Sequence, residues 1–222
     1  GGVAFVDATT ELDDSWEKTT GKLGLSYHTS EDILLYASYS LGFKAGGFNA
    51  SALAEPSYEA ETIDAYEAGL KGQFLDNKLR LNVSAFYYDY TDKTESKIEA
   101  LPGGGATTIF TNAGAATITG VDVELEARLT EAFSIDAAVA YQQAEYDEFD
   151  SQDPSNAVLG VQDLSGNQLT RSPEWKFHLG AQYEWLLGGN SGSLTARVDY
   201  AWVDEQYYRA FNLDTDRSDS YH

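Results

Sequence analysis

Apolar and polar side chains alternate along residues 117–129, whose sequence is TITGVDVELEARL. Val121 and Val123 fall on one face of a repeat with a period of two, and Asp122 and Glu124 fall on the other. An α-helix would instead bring apolar side chains together about every three to four positions. The segment therefore predicts a β-strand with one apolar face and one polar face.

The same period recurs along the chain and predicts eight strands, most of which have about 11–14 residues. The segments are residues 20–27, 33–44, 61–73, 78–91, 117–129, 133–146, 174–186 and 193–204. Strands of soluble proteins usually have about 5–6 residues, whereas a strand that crosses a membrane needs about 9–11. The length of the segments therefore indicates an apolar face that contacts lipid.

The connections between the predicted strands alternate between short and long. The short ones are residues 29–32, 75–77, 130–132 and 188–192, and the long ones are roughly residues 45–60, 92–116, 147–172 and 205–220. Antiparallel strands with tight turns at one rim and long loops at the other are typical of outer-membrane barrels. We therefore expect an all-β fold, an antiparallel transmembrane β-barrel segment with short periplasmic turns and long extracellular loops.

Aromatic residues lie near both ends of the apolar face. Those near the short turns are Tyr27, Phe74, Phe133 and Trp185, and those near the long loops are Phe43, Tyr87, Tyr141, Trp175 and Trp202. Two aromatic girdles around an aliphatic band are expected where strands cross both lipid–water interfaces. Packing of the same rings between two soluble sheets is the alternative, but strand length and loop asymmetry favour the membrane.

The opposite, polar face is then predicted to line the lumen of the barrel. The lumen-facing candidates are Glu67, Lys71, Arg80, Asp122, Glu124, Glu126, Arg128, His178 and Arg197. A narrow eight-stranded barrel is filled by side chains and has little room for so many charges. A wider barrel with a wet or filled lumen fits them better.

The composition excludes several classes of protein. The chain has 222 residues and a net charge of −22, with no cysteine and no methionine. Without cysteine there is no disulfide scaffold or thiol chemistry, and the negative charge argues against a nucleic-acid partner. No apolar run approaches the roughly 20 residues of a membrane helix. Because the chain opens on Gly1 without an initiator methionine or a leader, we expect a processed or truncated piece.

The titratable residues give no catalytic motif, so we expect no enzyme activity and no cofactor. His178 has no Gly-x-Ser-x-Gly nucleophile elbow beside it, as a hydrolase would require. Glu124 and Glu126 project from one face, but they follow the polar alternation of the whole strand. Carboxylates are frequent in residues 147–153 and 214–219 without the spacing of a calcium loop. We expect solvated loops and no metal site, with a weak divalent site left open.

Four segments, in chain order, resemble the barrel of TonB-dependent receptors. The segments are LLYASYSLGFKAGGFN (34–49), YEAETIDAYEAGLKGQFLDNKLRLNVSAFYYDYTD (58–92), NAGAATITGVDVELEARLTEAFSIDAAVAY (112–141) and GNQLTRSPEWKFHLGAQYEW (166–185). The resemblance covers most of the chain. It implies a barrel of about 22 strands with an N-terminal plug. Residues 1–222 are then expected to be a partial barrel domain, without the plug and without the last strands.

The resemblance also implies a function and a location. The implied function is energised, TonB-linked uptake of a scarce nutrient, such as a ferric siderophore, across the outer membrane of a Gram-negative bacterium. The expected partners are outer-membrane lipid and lipopolysaccharide, the receptor's own plug, the TonB energy-coupling protein and the small-molecule nutrient. A small complete outer-membrane barrel with a structural or adhesive role, and a soluble ligand-binding β-barrel, are the alternatives.

Recognition of the nutrient is expected in the long loops, because surface loops commonly carry binding residues. The candidates are Lys44, Phe48, Asn49, Tyr58, Gln168, Arg171 and Glu174. Residues 103–105 are three glycines, which predict a flexible second loop. The acidic loops disfavour a strongly anionic ligand at long range, but they do not choose between a ferric chelate, a glycan and a cobalamin-like cofactor.

Overall fold

The computed structural model describes residues 11–49, 56–100, 106–188 and 192–222. Its strands, in chain order, are β1 (Gly21–His28), β2 (Ile33–Lys44), β3 (Gly47–Phe48), β4 (Ser57–Tyr58), β5 (Glu61–Phe74), β6 (Leu79–Thr91), β7 (Thr94–Ala100), β8 (Ala106–Asn112), β9 (Ala115–Arg128), β10 (Phe133–Glu148), β11 (Asp150–Gln152), β12 (Val161–Asp163), β13 (Trp175–Leu186), β14 (Ser193–Val203), β15 (Gln206–Tyr207) and β16 (Arg217–Ser218). Eight of them form one antiparallel sheet in the order β1-β2-β5-β6-β9-β10-β13-β14. The order confirms the all-β prediction.

The strand bounds agree closely with the predicted segments, and the clearest difference in length is β10, which has 16 residues. β1 has 8 residues, as many as the predicted segment 20–27. Among the described strands it pairs with β2, and this pairing ends where Gly21 lies opposite Leu41. β10 continues beyond the predicted end because it stays paired with β9 as far as Glu148 and Ala115.

The long loops contain structure that the sequence pattern did not predict. Each holds a small two-stranded hairpin, which pairs β3 with β4, β7 with β8, β11 with β12, or β15 with β16. Two short 3-10 turns, Pro154–Leu159 and Asp214–Asp216, lie in the third and fourth long loops. Three of these hairpins have strands of only two or three residues, which are too short to show a period of two. β7 and β8 have seven residues each and were not among the predicted strands. The glycines at 103–105 lie outside the described residues.

The short turns are closed by local hydrogen bonds. Thr130 Oγ1 accepts from the amides of Ala132 at 3.2 Å and Phe133 at 3.0 Å, which is a common use of threonine in turns. The turn after β5 is tighter, because Leu75, Asp76 and Asn77 all have positive φ. Asp and Asn tolerate this conformation better than a residue such as leucine does.

The apolar face of the sheet is uncovered in the described part of the chain. Leu25 at one edge is 76% exposed and Val198 at the other is 72% exposed. A soluble sandwich would bury these side chains against a second sheet. Aromatic rings contact one another near both ends of this face, as in Tyr141 with Trp175 (centroids 4.7 Å apart) and Tyr183 with Trp185 (4.6 Å). The arrangement fits an apolar band in lipid with a girdle at each rim.

On the polar face, large rings lie over glycines. A Cβ added to Gly69 would approach the Val83 carbonyl oxygen to 2.5 Å and the Tyr36 ring to 2.6 Å. A Cβ on Gly120 would approach the Phe86 ring to 2.4 Å. These glycines therefore provide the room in which the rings lie against the sheet.

The largest cluster of buried residues lies at the long-loop end of the sheet, in the loops and in the adjoining ends of β9 and β10. The cluster consists of Ala113, Ala116, Ala144, Tyr146, Phe149, Leu164 and Leu169. Ala144 and Tyr146 lie on the polar face of β10, so the third long loop folds over that face at the long-loop end. Within the described ranges, no helix has the length and apolar character needed to cross a membrane.

Candidate functional site

Asparagine side chains join the first long loop to the second. Asn49 Nδ2 donates to the Phe110 carbonyl at 2.7 Å, and the Phe110 amide donates to Asn49 Oδ1 at 2.9 Å. Asn112 makes the same two-way contact with the backbone of Glu59, at 2.8 and 3.1 Å. A carboxamide can pair with a peptide unit in this way because it has both a donor and an acceptor. The two loops are therefore joined by specific bonds.

The third and fourth long loops are joined in the same manner. The Gln168 amide donates to Asn212 Oδ1 at 2.6 Å, and Asn212 Nδ2 donates to the Gln168 carbonyl at 3.0 Å. Asn167 Nδ2 donates to the Ala210 carbonyl at 2.8 Å, and the Arg171 amide donates to the Tyr207 carbonyl at 2.8 Å. The third and fourth long loops, joined by these bonds, lie above the polar face of the sheet.

A buried ion pair strengthens the contact between these two loops. Arg209 donates to Asp153 Oδ1 at 2.5 Å and to Asp216 Oδ1 at 3.4 Å. Asp153 is only 2% exposed, and Ser155 donates to it through both its amide and its hydroxyl. Burial raises the pKa of Asp153, but the hydrogen bonds from Ser155 and then from Arg209 outweigh burial, so the pKa lies below its ordinary value. The expectation of purely solvated carboxylates is therefore wrong for Asp153.

A cavity of about 370 Å³ lies between the second, third and fourth long loops. Its cationic side chains are Lys97, Arg171 and Arg209. Its aromatic side chains are Phe149, Tyr208 and Phe211, and the Arg209 guanidinium lies 5.1 Å from the Phe211 ring centre. Glu95 is the acidic residue of the lining, and it is paired with Lys93 at 2.5 Å. The cavity is thus locally cationic and aromatic in a chain whose net charge is −22.

The predicted ligand residues of the first loop do not reach this cavity. Lys44 pairs with Glu61 at 3.3 Å, and Phe48 packs against Trp16 with ring centres 5.7 Å apart. Asn49 is used in the contact with the second loop described above. Tyr58 packs against Phe110 with ring centres 5.6 Å apart. These contacts hold the loops together, and a binding role for these four residues stays a prediction.

Of the predicted residues of the third loop, one lines the cavity and two make hydrogen bonds within the fold. Arg171 lines the cavity, and its side chain makes no ion pair with the other described residues. Gln168 is occupied by its bonds to Asn212 and by a bond from its side chain to the Ser172 carbonyl. Glu174 is exposed, and its carbonyl accepts from the Gln142 amide at 2.9 Å.

Most residues of the cavity lining were not among the predicted binding residues. Tyr208, Arg209 and Phe211 lie in a short stretch of aromatic and basic residues in the fourth loop. The change from the acidic composition around it was the available signal. Their distance in sequence from Arg171 and Glu95 gave no indication that the loops converge.

The charged residues predicted to face the lumen lie on one face of the sheet. Neighbouring strands connect them, as in Arg80 with Glu126 at 3.3 Å and Asn82 with Glu124 at 3.1 Å. Across other strand pairs, the Tyr36 hydroxyl donates to Glu67 at 2.6 Å. Lys71 lies 5.8 Å from the centre of the Tyr36 ring. Asp122 and His178 both line a groove of about 520 Å³ on this face. Arg128, at the short-turn end, lines a second hollow.

A denser group lies on β10, β13 and β14 of the same face. Arg197 donates to Asp136 at 2.8 and 3.1 Å and to Asp199 at 2.6 Å. The two ring nitrogens of His178 lie 3.5 Å from Asp136 and 3.4 Å from Asp199. In the described ranges, this is the group of His and carboxylate side chains whose ligand atoms are close enough for a metal ion.

The comparisons with known proteins agree with this architecture. The family described as TonB dependent receptor-like, beta-barrel, matches residues 1–222. The metal-pseudopaline receptor CntO of Pseudomonas aeruginosa is 27% identical over 191 residues, which are 86% of this chain and 24% of that receptor. The probable TonB-dependent siderophore receptor PiuA of Acinetobacter baumannii is 25% identical over 175 residues, which are 75% of this chain and 22% of PiuA. The chain therefore spans about a quarter of the length of these relatives.

Solved structures show the same fold. The crystal structure of PiuA from Acinetobacter baumannii superposes with a TM-score of 0.69 and 22% identity, and covers 91% of this chain and 28% of the PiuA chain. The ferric yersiniabactin uptake receptor FyuA from Yersinia pestis gives 0.67 and 21%, with the same coverage. The chain belongs to the TonB-dependent receptor family, and its sheet is part of an antiparallel β-barrel wall of that family.

Proposed function

We propose that this chain forms wall and loops of an outer-membrane receptor for TonB-linked uptake of a chelated metal such as a ferric siderophore. The family and the relatives named for metal-pseudopaline and siderophores support the chemical class of the nutrient. The apolar face contacts lipid, the long loops face the cell exterior with its lipopolysaccharide, and the polar face lines the lumen that holds the plug. The TonB protein acts through other parts of the receptor.

The cavity between the second, third and fourth loops is the observation that carries the proposal. Arg171 offers it a guanidinium with no ion pair in the described structure, and Tyr208 and Phe211 offer aromatic surface. Metal chelators bind their ion through oxygen-rich groups that carry negative charge, and guanidinium recognises such groups well. The cavity therefore suits an anionic, partly aromatic chelate, although the loops as a whole are acidic.

Binding by variants of the full receptor that carries this chain tests the proposal. Ferric complexes of a hydroxamate, a catecholate and a carboxylate siderophore are titrated, with quenching of the receptor's intrinsic fluorescence as the signal. We expect Arg171→Ala to weaken the complex that binds best by about tenfold, the equivalent of one lost charge-assisted hydrogen bond. Arg217→Ala is the matched control, because Arg217 pairs with Glu205 at 3.0 Å and does not line the cavity.

Growth of a deletion strain on the same complexes, with metal limiting, gives the second measurement. The receptor should restore growth on the complex that it binds, and the restoration should require TonB. Absence of binding and of growth on all three classes would contradict uptake of a siderophore. If Arg171→Ala and Arg217→Ala weakened binding equally, the cavity would not be the binding site for the chelate.

A further inference from the structure

A hollow is built into the polar face where three neighbouring strands meet. The pairing register places Asp136 of β10, Gly180 of β13 and Asp199 of β14 in one row. Because the central residue is glycine, the space between the two carboxylates is open at the sheet surface. A Cβ at position 180 would lie 2.4 Å from an Arg197 nitrogen and 2.6 Å from Asp136 Oδ1. Glycine at position 180 therefore leaves the room in which the ends of the Arg197 and Asp136 side chains lie.

A cationic atom already occupies this hollow. Arg197 Nη2 lies 3.1 Å from Asp136 Oδ2 and 2.6 Å from Asp199 Oδ1, so that it bridges the two carboxylates. His178 lies two residues from Gly180 along the same strand and faces the same pair of carboxylates. The one guanidinium compensates only one of the two carboxylate charges.

We propose that this group is a site for a divalent transition-metal ion, with His178, Asp136 and Asp199 as ligands and Arg197 as the resident cation that the ion displaces. One imidazole and two carboxylates suit ions such as Zn²⁺, Ni²⁺ and Cu²⁺. The ion cancels both carboxylate charges. The site is separate from the loop cavity, and the metal is held by the chain itself rather than by a chelator.

The spacing of the ligand atoms fits such an ion. The candidate atoms, one from each residue, all lie within 4.8 Å of one another, and Nε2 of His178 lies 3.4 Å from Asp199 Oδ1. Bonds of about 2.0–2.1 Å in a tetrahedral site place neighbouring ligands about 3.3–3.4 Å apart. Small adjustments of side chains therefore bring the donors to bonding distance.

The ring nitrogen of His178 that does not bind the ion also has a hydrogen-bond acceptor nearby. A histidine that binds a metal usually donates its other N–H to a carboxylate, which fixes the ring. Each nitrogen of His178 faces one of the two carboxylates, so the nitrogen that does not coordinate the ion is left to donate to a carboxylate oxygen that the ion does not bind. Arg197 is 39% exposed in its side chain, so it has a path into the water of the lumen when the ion enters.

Metal titration of the full receptor polypeptide that carries this chain, in detergent and without any chelate, tests the proposal. Isothermal titration with ZnCl₂ and NiCl₂ gives the affinity. We expect His178→Ala to weaken binding at least tenfold and Arg197→Gln to tighten it about tenfold, because the competing cation is gone. Gly180→Ala should weaken binding, because its methyl group displaces the ends of the Arg197 and Asp136 side chains. Glu126→Gln is the control, because it breaks an ion pair of the same face away from the site.

The tightening in Arg197→Gln distinguishes a metal site from a purely structural ion-pair network, which would only lose stability. Circular dichroism and migration on unheated gels confirm that each variant folds. Wild-type receptor that binds no metal, or folded His178→Ala and Arg197→Gln variants with wild-type affinity, would overturn the proposal. Because no chelate is present, these outcomes are independent of whether the receptor takes up a siderophore.

Discussion

Arg209 of the fourth long loop donates to the carboxylate of Asp153 in the third, and that carboxylate is almost completely buried. The two residues lie 56 positions apart in the chain. Asp216 holds Arg209 from the other side at 3.4 Å. The pair therefore fixes the position of Arg209 in the cavity wall and connects the two loops at the same time.

Replacing Arg209 should loosen the third loop. Arg209→Ala leaves the buried Asp153 without its cation, and breaking such a pair from one side costs about 3 kcal/mol. Hydrogen exchange of residues 149–169 is expected to increase, while exchange in β5 and β6 stays the same. Arg217→Ala, which breaks the exposed pair with Glu205, should change loop exchange little. Equal changes in the two variants would contradict a special role for Arg209.

The same contact should respond to acid in a defined direction. The pKa of Asp153 lies below its ordinary value of about 4, so its ionised form stabilises the folded loop above that pH. This stabilisation is lost as the pH falls through the lowered pKa of the folded state. We expect loop order to be constant from about pH 8 to pH 5 and to decrease below about pH 4.

A spin label follows this transition. The chain has no cysteine, so Val158→Cys, at a position that is 96% exposed, provides one labelling site in the third loop. Label mobility should rise in acid, and Asp153→Asn should remove the acid-induced rise. A rise centred between pH 5 and pH 7 would show that another group controls the loop.

Two neighbouring alanines test which face contacts lipid. Ala137 lies on the apolar face of β10, midway between the aromatic girdles, and Ala138 lies on the polar face between Glu124 and His178. Ala137→Arg should destabilise the barrel in lipid vesicles by about 2–4 kcal/mol, the cost of arginine at the midplane. Ala138→Arg should cost less than about 1 kcal/mol, since that face is already polar. The reverse order, from guanidinium unfolding of the full receptor, would place lipid on the other face.

A pair of glycines tests the packing of rings on the polar face. Gly69→Ala forces a methyl group to 2.5 Å from the Val83 carbonyl oxygen, and overpacking of this kind costs about 1–3 kcal/mol. Gly24→Ala is the matched control, because its new Cβ would have nearest neighbours at 3.9 Å. We expect the melting temperature of the receptor in detergent to fall for Gly69→Ala and to stay near that of the wild type for Gly24→Ala.

Part of the candidate site could be predicted from the sequence. The sequence predicts Arg171 as a binding residue because it lies in a long loop, and the structure places it at the cavity. Asn49 and Gln168 are predicted on the same ground, but the Asn49 side chain bonds to the Phe110 backbone of the second loop and the Gln168 side chain donates to the Ser172 carbonyl of its own loop. The sequence alone does not distinguish a polar loop side chain that binds a ligand from one that binds the backbone of the same chain. The difference depends on which loops meet.

The sequence by itself determined the eight strands of the large sheet, their faces and their antiparallel order. The alternation of Val121, Asp122 and Val123 indicates which side chains share a face of the strand. A short turn between two strands indicates that they are antiparallel neighbours. Only the tertiary structure decided that Arg209 meets Asp153 and that Gly180 lies between Asp136 and Asp199. These contacts join residues far apart in the chain, so they depend on strand register and loop packing, which no local pattern records.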